Sequence, residues 1–334
     1  MVQHPTEHFQ LIQTTRAINK IPNKWNLPIN PFRNEGIMTT GVRIQEINGI
    51  LSILPVKIRG EAPTVNNRDT RTFRYIDALH IPFQDRIEPQ DIQNSVDWNT
   101  GKQLDGITQA VARILRNHRE KHAMTLRWLR MGAMKGLVLN NDNTTLIDCY
   151  AEFGITQKTI DFSLSVDTTD VRKLCHEIHR HTEDHLLGEN MNSIVCWCSS
   201  GFFDALVAHP QVEKAFINHG AAIEKLGGDI RKGFNFGGIE FSEYRGRSTD
   251  GKGNVRKFIA DDEAHCFPLG TSDTFVTYFA PPVLDGLNQI NRNGLELYAM
   301  RTNDLKGRCI DIDSESDPLP ICRRPALLVK VTMS

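Results

Sequence analysis

Hydrophobic positions along this chain recur with two periods, and the longest regular stretch lies between Leu104 and Gly136. Leu104, Ile107, Val111, Ile114, Leu115, Thr125, Leu126 and Leu129 are spaced mainly by three and four. At roughly 100° per residue they fall on one face of a helix. About 33 residues rising ~1.5 Å each predict an element about 50 Å long, well beyond the usual three or four turns. Before it, Thr6 to Lys20 reads as a short helix, and Pro22, Pro28 and Pro31 then interrupt regular structure, which gives an extended N-terminal arm.

From Gly41 to Pro55, Val42, Ile44, Ile47, Ile50, Leu51 and Ile53 suggest strand pieces broken at Asn48-Gly49. Asn66-Asn67 then marks a turn with Val56–Arg59 and Thr70–Ile76 as its arms. Arg59, Arg68, Arg71 and Arg74 make this hairpin polar on most sides, so its stability is expected to come from a partner, with the four arginines available for ion pairs between subunits. The return through Pro82 and Pro89 to Trp98 offers few core positions.

Beyond Asn140-Asn141, Thr144 to Phe153 reads as a strand, and Thr169-Asp170 can cap a helix ending near Gly188. Ser193 to Cys198 is a buried strand candidate. A Ser199-Ser200-Gly201 turn leads into Phe202–Ala208, and Pro210 opens a short helical run through Phe216. Gly238–Tyr244 and Val255–Ala260 flank Asp250-Gly251, a hairpin signal, before Thr274–Phe279 and the Pro281-Pro282 stop. Helices and strands interleave without a βαβ repeat, so the expected class is α+β.

Charge and composition narrow the function. Lys+Arg 39 against Asp+Glu 40 gives a net charge of -1, without the basic excess of a dedicated nucleic-acid binder. Mean hydropathy is -0.36, and no apolar run approaches the ~20 residues of a membrane span, so no membrane partner is expected. His4, Glu7, Gln10 and Gln13 stand where a signal peptide would be apolar. Seven cysteines scattered from Cys149 to Cys322 read as reduced thiols, the usage of a cytoplasm.

Chemical motifs are weak throughout. His176, His179, His181 and His185 cluster with Glu177, Glu183 and Asp184, but Arg180 stands where HExxH requires the second histidine. Val171, Leu174, Cys175 and Ile178 supply an ordinary apolar stripe, so this helix reads as a solvated face. Cys196-Trp197-Cys198 lacks a zinc-knuckle spacer, and on a strand both sulfurs would share one face with Trp197 on the other. Asp311, Asp313, Glu315 and Asp317 alternate like a calcium loop, but Ser316 and Cys322 occupy its glycine and glutamate positions. Gly227-Gly228 and Gly237-Gly238 fit no phosphate-binding loop, and no GxSxG elbow is present. No catalytic, metal-binding or cofactor-binding residue is assigned, and no cofactor is expected; a metal-dependent hydrolase built on His176–His185 is the remaining enzymatic alternative.

Longer segments are more specific. PFRNEGIMTTGVRIQEINGILSILPVKIRGEAP, with Phe32, Thr39, Thr40, Gly49, Pro55 and Gly60, resembles the opening of the lambda major capsid protein family of tailed bacteriophages. LHIPFQDRIEPQDIQN, through Asp91 and Asn94, is similar to the family's return from its loop. TYFAPPVLDGLNQINRNGLELYAM matches at Ala280, Pro281, Gly294 and Tyr298, and SESDPLPICRRPALLVKV at Ser316, Pro318, Leu319, Pro320, Arg324 and Pro325. Residues 155–270 show no pattern that can be aligned with the family.

The resemblance implies the Hong Kong 97-type capsid fold: an N-terminal arm over 1–40 and an extended loop over 41–102. A peripheral domain over 103–189 would hold the spine helix at about 104–136, with an axial domain over 190–300 and C-terminal strands over 301–334 returning to the peripheral domain. It further implies a non-enzymatic subunit, many copies of which form the pentamers and hexamers of an icosahedral head, assembled in the host cytoplasm. Expected partners are other copies of the chain, a scaffolding protein, a portal, a decoration protein and packaged DNA bound without sequence readout. A tail or portal component is the alternative within phage structural proteins.

Arg113, Arg116, Arg127 and Arg130 lie within about 100° of one another, with Glu120 as the lone acid among them. Such a stripe would be solvated, would bridge subunits, or would face packaged DNA.

Overall fold

A computed structural model describes residues 5–24, 27–47, 71–93, 106–186, 188–218, 231, 233–250, 252–304 and 306–333. Its axis is the helix Gly106–Lys135, 30 residues and therefore about 45 Å long. The helix stops at Gly136, whose φ of 81° is the left-handed value that ends helices and whose missing Cβ makes room for the Tyr150 ring. Burial along it is graded. Ile107 is 45% exposed, whereas Leu115, Ala123, Leu126 and Leu129 are buried and Met131 to Met134 are enclosed on every side.

Two sheets take up this helix at different levels. Ile81–Ile87, Ile310–Ser316 and Tyr298–Asn303 form an antiparallel sheet with Ile310–Ser316 in the middle. Ile87, Leu297, Ala299 and Ile312 from this region pack with Leu115 and with Ile18 of the N-terminal helix Pro5–Lys20. That helix is pinned by Thr15, whose hydroxyl donates to the Ala299 carbonyl at 3.2 Å. Nearer the end of the long helix, Phe275–Phe279 lies between Arg33–Gly36, parallel, and Pro318–Cys322, antiparallel. Phe275, Val276, Leu319 and Ile321 share a core with Leu129, Met131, Ala133 and Met134.

A six-stranded sheet holds the remainder, in the order Lys158–Asp161, Val329–Thr332, Glu263–Leu269, Ser193–Cys198, Ile239–Glu243, Phe234–Phe236. Alternation along Ser193–Cys198 explains its two faces. Val195 and Trp197 join the core of the long helix, while Ile194, Cys196 and Cys198 pack with Phe202 and Leu206 of the helix Ser200–Ala208 and with Cys175 and Ile178 of the helix Val171–His185. The two cysteines thus share the face opposite Trp197, as their spacing predicts. Helix Val171–His185 begins where expected, with the Asp170 carboxylate accepting from Lys173 N at 3.1 Å.

Several local expectations are corrected. Thr144–Phe153 is not one strand: Thr145–Asp148 is a strand and Cys149–Phe153 a helix, because the Asp148 carboxylate accepts from Tyr150 N and Ala151 N and so caps a helical turn. Ser199 is likewise an N-cap, its hydroxyl accepting from Phe202 N. The hairpin around Asp250 has arms Arg247–Thr249 and Val255–Lys257, while Ile239–Glu243 turns back on Phe234–Phe236 through Gly237 and Gly238, both at positive φ. Arg71–Asp77 pairs with Gly41–Ile47, and Val56–Arg59 lies outside the described residues. Ile81–Ile87, read from its prolines as loop, is a sheet strand. The last strand, Val329–Thr332, pairs with Glu263–Leu269 and Lys158–Asp161, so one sheet draws on segments 103–189, 190–300 and 301–334 together.

Candidate functional site

The arginines of the polar hairpin are only partly placed. Arg59 and Arg68 lie outside the described residues, and Arg71 opens the strand opposite Ile47. Arg74 is engaged within its own subunit: its guanidinium donates to the Glu152 carbonyl and lies 5.3 Å from the centre of the Phe153 ring. It fastens the hairpin to the helix Cys149–Phe153.

The expected basic stripe divides into three environments. Arg113 and Arg116 are exposed on the outer half of the long helix. Arg127 is half-buried, donating through Nε to the Tyr244 hydroxyl at 3.1 Å and covering the Tyr244 and Phe258 rings. Arg130 is buried and is removed from any solvent- or DNA-facing set. Four residues advance a helix by about 400°, so Arg130 sits only about 40° from buried Leu126. Its Nε donates to Thr277 Oγ1 at 3.0 Å and its Nη2 to Asn34 Oδ1 at 2.6 Å. Burial pulls its pKa down to about 10, which leaves the charge in place at neutral pH.

Below these arginines, the long helix meets the sheet through a buried polar cluster that the sequence did not indicate. Ser314 Oγ lies 2.7 Å from His118 Nδ1 and 3.0 Å from His122 Nε2, and His118 Nε2 lies 3.1 Å from Asp85 Oδ2. Burial, and then the neighbouring His118 and Arg119, push the His122 pKa down to about 4. His122 is therefore neutral at neutral pH, and the cluster positions the helix by hydrogen bonds.

Of the histidines of helix Val171–His185, only His181 and His185 come together, their ring centroids 4.3 Å apart. His176 is exposed, His181 Nε2 lies 2.9 Å from the Ala326 carbonyl, and His185 Nδ1 lies 2.7 Å from the carbonyl of His181. Among the described residues, His80, Glu315 and Asp317 do come together, with potential ligand atoms all within 4.8 Å. The sequence carried a trace of this group in its alternating acids. On strand Ile310–Ser316 that alternation resolves into Asp311, paired with Arg86 across the sheet, and Glu315, buried beside Asp317. Burial, together with the neighbouring Glu315, raises the Asp317 carboxyl to about 7 against the opposing hydrogen bond to His80.

Among the described residues, the long helix carries sheets at successive levels, with the paired strands Gly41–Ile47 and Arg71–Asp77 as a separate hairpin. The mature capsid of bacteriophage PhiM1 has the same fold, at a TM-score of 0.51 with 14% identity over 91% of this chain and 85% of that one. The fold is the Hong Kong 97-type capsid fold, in the α+β class expected. The family described as phage major capsid protein E matches residues 11–333, and the chain belongs to it. It is 30% identical to the major capsid protein of Pseudomonas phage KPP10, over 97% of this chain and 96% of that protein. It is 27% identical to that of Salmonella phage Felix O1, with the same coverage. The chain is thus a phage major capsid protein, a structural component of the head shell.

Proposed function

We propose that this capsid protein builds an icosahedral head from pentamers and hexamers of itself, and that it does so without catalysis. The observation that carries the reading is the family match across residues 11–333. Assembly takes place in the host cytoplasm with a scaffolding protein; the shell joins a portal, encloses genomic DNA through sequence-independent contacts, and offers its outer surface to a decoration protein. In this reading 1–40 is the arm, 41–102 the extended loop, 103–189 the peripheral domain with the spine helix, and 190–300 the axial domain at capsomer centres. Residues 301–334 return to the peripheral domain, except that strand Val329–Thr332 lies in the six-stranded sheet. The hairpin Gly41–Ile47/Arg71–Asp77 lies at the base of the segment assigned to a neighbouring subunit.

Negative-stain electron microscopy of the expressed protein, alone and with the scaffolding protein of its phage, tests the reading. Closed shells are expected. Tubes or discrete rings would point instead to a tail or portal role, and a chain that stays monomeric under both conditions would overturn assembly as its function.

A further inference from the structure

We propose that His80, Glu315 and Asp317 form a binding site for a divalent transition-metal ion of the zinc or manganese kind, which clamps the base of the hairpin to the crossing of the C-terminal strand between two sheets. Backbone pairing fixes the three residues. Asp317 is the single residue between strands Ile310–Ser316 and Pro318–Cys322, which belong to different sheets. Leu79 N donates to the Pro318 carbonyl at 3.0 Å and Ile81 stands opposite Ser316, so His80 is held directly beside that crossing.

The donor set has the chemistry of a metal site. His80 Nδ1 lies 2.8 Å from Asp317 Oδ1 and 3.5 Å from Glu315 Oε1. One imidazole nitrogen and two carboxylates are a three-ligand set that suits zinc or manganese and leaves coordination positions for water. Glu315 is oriented from behind, its two oxygens accepting from Val283 N and Leu284 N. Backbone donors of this kind aim ligating carboxylates and retain their outward lone pairs for the ion.

An independent observation points to a missing positive partner. Glu315 and Asp317 are 3% and 5% exposed, yet among the described residues His80 is the only cationic side chain paired with either. Asp317 Oδ2 is buried with no hydrogen-bond donor. Glu315 is held by two backbone N–H groups, whereas Asp317 has only the half-exposed His80, so its lost hydration is incompletely compensated, and a divalent cation supplies the missing partner at the point where all three side chains meet. His80, at 46% side-chain exposure, leaves an entry route from solvent.

The test compares the wild-type protein with His80→Gln and Asp317→Asn, each stripped by chelator, dialysed against Zn²⁺ or Mn²⁺ and assayed by elemental analysis and thermal melting. The cysteines and the His181–His185 pair are unchanged in all three proteins, so zinc held there cancels in the comparison. The wild type should retain one ion per chain more than either variant, with at least tenfold tighter uptake, and its melting temperature alone should rise on adding that ion. Asp317→Asn removes a buried charge at nearly constant volume, so its metal-free form should melt no lower than the metal-free wild type. Equal stoichiometry and equal melting shifts in the three proteins, with both ions, would overturn the site.

Discussion

Arg130, buried on the long helix, donates through Nε to Thr277 Oγ1 at 3.0 Å, and its second contact, to Asn34, lies on the strand that flanks Thr277. One side chain therefore ties the helix to two strands of the sheet Arg33–Gly36, Phe275–Phe279, Pro318–Cys322. Its ring contact with Phe32, 5.7 Å to the centroid, fills the space between them.

Replacing Arg130 with Ala should destabilise the subunit by about 2–3 kcal/mol, because fully buried Thr277 loses its donor and a cavity opens beside Phe32. Chemical denaturation of the unassembled protein measures this. A stability within 0.5 kcal/mol of wild type, roughly the scatter of surface substitutions, would show that Arg130 is not a structural tie.

The pH dependence of folding should carry the mark of His122. Its folded pKa of about 4 lies below the ordinary value of 6.5, so the unfolded chain takes up the proton first as pH falls. The stabilisation is complete above pH 6.5 and is lost progressively down to about pH 4, for a maximum of about 3 kcal/mol. Burial lowers the His118 pKa as well, which acts in the same direction, while Asp85 opposes it. His122→Leu should flatten the decline between pH 6.5 and 4, as read by urea midpoints at each pH; an unchanged slope would mean that other groups set it.

How much of this was legible in the chain depends on the range of the interaction. The spine helix, the Asp170 cap and the two faces of Ser193–Cys198 are written in local spacing, and all three are found where the spacing puts them. Arg130 belongs to the stripe by spacing but not by environment, because burial along the helix is graded. The last third of the helix is enclosed by strands from both ends of the chain, and Leu126 already marked Arg130's side as inner. The His80–Asp317 contact spans 237 positions, and nothing near His80 announces it. The order of the six-stranded sheet is equally remote from local pattern, since its neighbours Val329–Thr332 and Lys158–Asp161 come from distant parts of the chain.

Truncation after Asn293 should give an insoluble product. The residues removed include the central strand Ile310–Ser316, the Pro318–Cys322 partner of Phe275–Phe279, and the strand that separates Glu263–Leu269 from Lys158–Asp161. Three sheets would then expose unpaired edges and apolar faces. A soluble truncated chain that melts cooperatively would show that the C-terminal segment is an appendage.

Deleting Glu61 to Thr70 addresses the extended loop directly. The deletion lies beyond the paired hairpin strands and leaves Ile44 and Ile76, which are buried in the main core, in place. The expected product is a folded, soluble subunit that does not form stable shells, because area at the subunit interface is lost while the core remains. Circular dichroism and electron microscopy read the two properties separately, and normal shells from this variant would mean that the loop does not bridge subunits.

Of the four arginines in the stripe, Arg113 and Arg116 are the exposed pair. Arg130 is structural and Arg127 is engaged with Tyr244, so a test on Arg127 would confound stability with charge. Arg113 and Arg116 are exposed one turn apart, and among the described residues Arg116 Nε donates to the carbonyl of Ala112 on its own helix. A double replacement of Arg113 and Arg116 with Gln should change stability by less than about 0.5 kcal/mol. If these side chains face the shell interior, two cationic contacts to phosphate are lost from every subunit, and empty shells should assemble normally while fewer particles retain a genome. The deficit should grow with ionic strength, because the surviving contacts are screened. If they instead bridge subunits, the yield of empty shells itself should fall. Counting empty and filled particles on the same density gradient separates the two roles, and wild-type values for both classes would identify the pair as solvated surface.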